Sequence, residues 1–230
     1  MKTIGLIGGM SWESTIPFYR IINQTIAQRL GGFHSARLLL HSVDFDDYEP
    51  LQRSGDWNAA GALLAEAARG LEASGADFLV VCSNTMHKVI DDVEAVIRIP
   101  VLHVVDPTAT AIINAGHAKV GLLGTRFTME QDFYRERLAA RGLQVLIPHA
   151  DDRDTVHHII YQELCKGVVS DSSRQAYREI MARLVAQGAT AIILGCTEIS
   201  LLVDADDASV PLFDTTRLHA VATAEQALSA

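Results

Sequence analysis

With 230 residues, 49% of them apolar and only 6% aromatic, the chain is long enough for one large or two small domains with aliphatic cores, and its composition excludes a disordered or fibrous protein. The net charge of −9 and the lack of any Lys/Arg cluster argue against a nucleic-acid surface, whose footprint is a basic stripe. Cys82, Cys165 and Cys196 form no CxxC pair and no run reaches ~18 apolar residues, so the expectation is a reduced, cytoplasmic protein with no membrane partner.

Lys2–Ile7 reads as a buried strand, followed by Gly8-Gly9-Met10-Ser11 and a helix over Trp12–Leu30 that Gly31-Gly32 ends. Gly8, Gly9, Ser11 and Glu13 break the apolar start too early for a signal peptide. The glycine turn forms a backbone nest suited to a carboxylate or phosphate, but its G-x-x-G-G spacing differs from the dinucleotide G-x-G-x-x-G. Arg37–Val43 is a second strand, and Asp44–Gly55 reads as a polar loop carrying Tyr48, Gln52 and Arg53, either a site cover or a solvated connection. A helix over Asn58–Ser74 leads to strand Asp77–Val81 with Cys82–Thr85 at its carboxyl end, then a helix over Met86–Ile97 and strand Val101–Val105. This β-α-β-α-β-α-β order predicts a parallel sheet with helices on both faces.

After a helix over Thr108–Gly116, strands are predicted at Ala118–Leu123, Leu143–Ile147, Thr190–Leu194 and Val210–Phe213. Between them fall helices near Met129–Arg141, Asp154–Cys165, Ser172–Gln187 and Glu198–Leu202, and Thr215–Leu228 closes the chain. The fold expected is α/β, with two similar doubly wound parallel-sheet domains related by pseudo-twofold symmetry and a site in the cleft between them. The first domain takes residues 1–105 with 214–230, the second 106–213.

An internal echo supports the two-fold division. GADFLVVCSNT (Gly75–Thr85) aligns without a gap to GATAIILGCTE (Gly188–Glu198), and IGLIG (Ile4–Gly8) to VGLLG (Val120–Gly124). In that register Cys196 stands opposite Ser83, while Cys82 stands opposite Gly195. A one-residue step along a strand turns a side chain to the other face, so Cys82 is the weaker candidate for the same cleft. Cys196, placed where a buried strand stops and a helix should start, is a candidate thiolate, because helix-start N–H groups lower a thiol pKa; the alternative is a small buried cysteine.

Ligands of open α/β sheets bind beyond the strands' carboxyl ends. There the sequence offers Ser11, Asn84, Thr85, Thr125, Thr128 and Thr197, suited to a carboxylate, although each taken alone is more often an ordinary helix cap. Lys166 and Arg53 are the cations chosen for a distal substrate carboxylate, with solvated surface charge as the alternative. The nine histidines show no HExxH or other metal-ligand spacing. His157-His158 reads as an exposed pair, and His87 is the one histidine expected near the site, or else packed or on the surface.

The runs LIGGMSWEST (Leu6–Thr15), NTMHK (Asn84–Lys88), LLGTRFTMEQDFY (Leu122–Tyr134) and GCTEI (Gly195–Ile199) closely resemble the cofactor-independent aspartate/glutamate racemases. The resemblance implies an isomerase, commonly a homodimer, that needs neither PLP nor a metal and inverts a small dicarboxylic amino acid with a cysteine from each half. It makes Cys196 the base on the L face. Asn84, Thr85 and Thr125 match carboxylate-binding positions, Lys166 matches a distal-carboxylate lysine, and Met10, Gln52, Arg53, Thr128, Thr197 and Glu198 complete the expected binding set. Ser83 departs from the family's first cysteine and is similar to a branch specific for L-aspartate and L-glutamate, in which a hydroxyl residue takes this place. A hydroxyl can donate a proton to a carbanion but is a far poorer base than a thiolate. The alternatives are a one-cysteine decarboxylase of malonate-type acids or a non-catalytic carboxylate-binding module.

Overall fold

The computed structural model describes residues 1–229. They form two α/β units: Met1–Val104 with residues 219–229, and Val105–Leu218.

The first unit contains β1 (Ile4–Gly8), α1 (Trp12–Leu30), β2 (Leu38–Ser42), α2 (Phe45–Ser54), α3 (Trp57–Ala73), β3 (Phe78–Val81) and α4 (Ile90–Glu94). Its sheet is parallel with order β2-β1-β3. β1 and β3 are buried throughout, which matches their unbroken apolar sequences. Ile7, Leu79 and Val81 pack with Leu64, Ala68 and Leu71 of α3, whereas Leu6, Phe78, Val80 and Cys82 pack with Phe18, Ile22 and Ile26 of α1. Those three α1 residues recur every fourth position and so share one helix face; each fully buried large aliphatic side chain stabilises by roughly 1.5–3 kcal/mol.

The second unit contains α5 (Val105–Asn114), β4 (Lys119–Gly124), α6 (Arg126–Glu130), α7 (Asp132–Ala140), β5 (Gln144–Leu146), α8 (Ala150–Gln162), α9 (Asp171–Ala186), β6 (Ala191–Gly195) and β7 (Leu212–Asp214). Its sheet is parallel with order β5-β4-β6-β7. The last helix, α10 (Thr215–Leu228), starts in this unit and continues into the first.

Strand pairing supports the internal echo. Ile7 pairs with Val81, and its counterpart Leu123 pairs with Leu194. Two residues beyond each partner stand Ser83 and Cys196, the equivalent positions of the two sheets.

Several elements differ from expectation. The stretch taken as a loop is α2: the Asp44 side chain accepts the Asp46 N–H at its start, Gly55 ends it in left-handed geometry, and Tyr48 and Gln52 share its buried face. Pro50 inside it disguised the helix, since proline forfeits one backbone bond. The strand expected at Val101–Val105 is a single bridge from Leu79 to Val101, because α5 begins at Val105 with Pro107 inside its first turn, where proline is tolerated. The helix expected over Met86–Ile97 is a 3₁₀ segment, Thr85–Val89, followed by α4. That expected over Glu198–Leu202 is one 3₁₀ turn, Ile199–Leu201. Among the described residues no helix is long and apolar enough to cross a membrane.

Candidate active site

In the first unit, the carboxyl ends of β1 and β3 bring Met10, Ser83, Asn84 and Thr85 into buried positions. Gly9 turns the chain with φ 95°, and a Cβ there would lie 2.2 Å from the Val43 carbonyl oxygen, so the tight exit from β1 requires glycine. Its N–H donates to Thr15 Oγ1 at 2.9 Å, which engages one donor of the expected anion nest internally. Ser83 Oγ accepts the Met86 N–H at 3.4 Å. The Gln52 side-chain amide donates to Met86 Sδ at 3.2 Å, placing α2 against the same turn. The nearby Tyr48 stays a neutral phenol on α2, its pKa pushed up to about 12 by burial and then by Asp47. Arg53, one step around α2 from Gln52, is exposed and pairs with Glu49 at 3.4 Å. Cys82 is fully buried among apolar side chains on the α1 side of the sheet, and burial pushes its thiol far up, so it carries no thiolate.

In the second unit, β4 and β6 end in corresponding turns. Gly124 and Gly195 pair across the sheet, and a Cβ on Gly195 would lie 2.8 Å from the Leu123 carbonyl oxygen, so these strand ends pack backbone to backbone. Thr125 caps α6, its Oγ1 accepting the Thr128 N–H at 3.3 Å and lying 3.2 Å from Thr128 Oγ1. The Cys196 thiol donates to Glu198 Oε2 at 3.0 Å, and the Thr197 hydroxyl donates to the same oxygen at 2.8 Å. All three residues are buried.

This arrangement reverses the electrostatic expectation for Cys196. Burial, then the Glu198 carboxylate, hold its thiol well above the usual cysteine range. The 3₁₀ turn that follows offers no long helix dipole to oppose them. The resting site is therefore a thiol hydrogen-bonded to a carboxylate, and Glu198 is placed to accept its proton. Replacing Glu198 with Gln removes the negative neighbour and the thiol's acceptor. The thiol pKa is then expected to fall, moving the acid limb of kcat/KM to lower pH and accelerating thiol alkylation at neutral pH. A pH–rate profile with iodoacetamide kinetics checks both effects.

Two neighbours of this turn were not visible as candidates in the sequence. Cys165 has its thiol pushed up by burial and then by Glu198. Tyr177 on α9 is wholly buried, its hydroxyl without a hydrogen-bond partner among the described residues and its pKa raised by burial, then by Cys196 and Glu198. Tyr177 occupies an ordinary core position of an amphipathic helix, so no local pattern marks it. Lys166 is exposed, and its Nζ donates to Gln162 Oε1 at 2.9 Å. His157 and His158 do not form an exposed pair: His158 is exposed, while His157 is half-buried against Tyr161 and accepts the Arg126 N–H at 3.2 Å.

A family model described as Asp/Glu/Hydantoin racemase matches residues 7–223. The chain is similar over the full length of both chains to a crystal structure from Yersinia pestis provisionally assigned to the Asp/Glu racemases, with 57% identity and a TM-score of 0.92. It is likewise similar over the full length of both to an aspartate racemase homologue from Pyrococcus horikoshii OT3, with 32% identity and a TM-score of 0.85. Among curated proteins it is 26% identical over 224 residues to the broad specificity amino-acid racemase RacX of Bacillus subtilis strain 168, covering 96% of each chain. On the match of the family model and these likenesses, the chain is an isomerase that belongs to the Asp/Glu/hydantoin racemase family.

Proposed function

We propose that this racemase interconverts the L- and D-forms of aspartate or glutamate, with Cys196 as base on the L face and Ser83 as proton donor on the other. The observation that carries the reading is the Cys196–Glu198 contact at the end of β6, with Ser83 at the equivalent position beyond β3. The thiol proton moves to Glu198, and the thiolate takes the α-hydrogen. The electron pair of the Cα–H bond spreads into the substrate carboxylate, the Ser83 hydroxyl delivers a proton to the opposite face of Cα, and the serine oxygen regains a proton from solvent as Glu198 releases the one it took. The reverse reaction retraces these steps. Asn84, Thr85, Thr125 and Thr128 supply donors to the α-carboxylate, where charge accumulates as the proton leaves. The chemistry draws on these groups and calls for neither PLP nor a metal.

Lys166 is the group proposed to choose a dicarboxylic substrate, its ammonium being exposed and hydrogen-bonded to the neutral amide of Gln162. The test is chiral chromatography of L-Asp, L-Glu and a panel of neutral L-amino acids, with the wild type and with Lys166→Ala. The wild type should form D-Asp or D-Glu and leave the neutral acids largely unchanged. Loss of one charge-assisted bond should raise KM for the dicarboxylates by roughly 10- to 100-fold with a smaller change in kcat. Equal turnover of neutral and acidic substrates would remove the dicarboxylate assignment.

A further inference from the structure

Behind the Ser83 turn lie three histidines far apart in sequence, His87, His103 and His219, all buried in the first unit. Ring centroids are 4.4 Å apart for His87 and His103 and 5.9 Å for His87 and His219. The Val104 N–H donates to His87 Nε2 at 3.2 Å. That nitrogen therefore presents its lone pair, the ring proton sits on Nδ1, and Nδ1 donates to the Ser83 carbonyl oxygen at 2.6 Å. His219 Nε2 donates in turn to the Leu102 carbonyl oxygen at 2.8 Å. One imidazole thus ties the peptide of Ser83 to residue 104, where the chain leaves the first unit, and a second ties residue 102.

We propose that His87 is a positioning residue for the Ser83 hydroxyl, acting through the Ser83 carbonyl; the inference rests on the racemase reading above. The Ser83 side chain is held by a long bond, the 3.4 Å contact from the Met86 N–H, so its aim depends on the backbone that carries it. The short bond from Nδ1 fixes the plane of the peptide that follows Ser83 and leads into Asn84. A displacement of about 1 Å in a reacting group can cost 10²-fold in rate. The face served by Ser83 should be the one that suffers when this bond is lost.

Two variants divide the imidazole's bonds. Asparagine places an amide N–H near Nδ1 and keeps the Ser83 carbonyl bond while losing Val104; glutamine reaches toward the Nε2 position and does the reverse. Each full-length variant is incubated with L-Glu and L-Asp in D₂O, reading D-isomer formation against exchange of the Cα hydrogen, with Tm measured alongside. His87→Gln should lower the ratio of inversion to exchange by about tenfold or more, and His87→Asn should keep it within about threefold of wild type. An unchanged ratio in His87→Gln, or a fall of both rates in proportion as Tm falls, would show that His87 only fills the core. Should His87→Gln fail to fold, His87→Leu, which loses both bonds and keeps an apolar bulk, is read in its place: a lowered ratio supports the proposal and an unchanged one overturns it. A wild type that exchanges without inverting removes the racemase reading itself, and the positioning role with it.

Discussion

Replacing Cys196 with alanine is expected to abolish Cα exchange and racemisation together, by about 10³-fold or more, because on the proposed reading the thiolate is the group that meets the α-proton and Glu198 acts only through it. Glu198 already accepts from the Thr197 hydroxyl at 2.8 Å, and with the thiol gone it retains that bond. The substitution leaves the β6 backbone ladder to β4 intact. A Tm near that of the wild type should accompany the loss, separating lost chemistry from lost fold. Cys196→Ser should be almost as inactive, since a hydroxyl beside Glu198 ionises far less readily than a thiol. Exchange rates in D₂O for the three proteins check this, and a Cys196→Ala variant that retained exchange would remove Cys196 from the reaction.

Replacing Ser83 with alanine is expected to have the opposite signature: exchange persists, while D-isomer formation falls by about 10²-fold or more. Cys196 still removes and returns the α-hydrogen on one face, but the other face has lost its donor. The structural cost is the 3.4 Å bond from the Met86 N–H, about 1 kcal/mol or less. Ser83→Cys places the family's usual thiol at this position and should raise racemisation. Because the enantiomers have equal free energy, kcat/KM must rise equally in both directions. Circular dichroism from each enantiomer, run with proton exchange, checks both variants, and a Ser83→Ala protein that inverts at the wild-type rate would exclude Ser83 as donor.

The equivalence of Ser83 and Cys196 was legible because β-strand parity survives in sequence: a gapless echo keeps register, and pairing of Ile7 with Val81 and Leu123 with Leu194 reproduces it. The bounds of α1 were legible too, since apolar periodicity ends at Gly31, which accepts the turn at φ 74°. α2 was not, because Pro50 and its acidic residues hid the Tyr48–Gln52 face. Nor was the protonated state of Cys196, because a local rule about helix starts presumed a helix that the chain does not form and overlooked a carboxylate two residues away. The histidine cluster joins residues 87, 103 and 219, contacts that only the folded unit creates.

The central claim, that Cys196 and Ser83 serve the two faces of one Cα, is tested most directly by incubating the wild-type protein with L-Glu and L-Asp in D₂O. Loss of the Cα–H signal and appearance of the D-isomer are followed in the same samples. The account predicts that both occur and that the D-isomer accumulates to the racemic limit with deuterium at Cα. Exchange without any D-isomer would contradict it, leaving Cys196 working alone and Ser83 without a catalytic part.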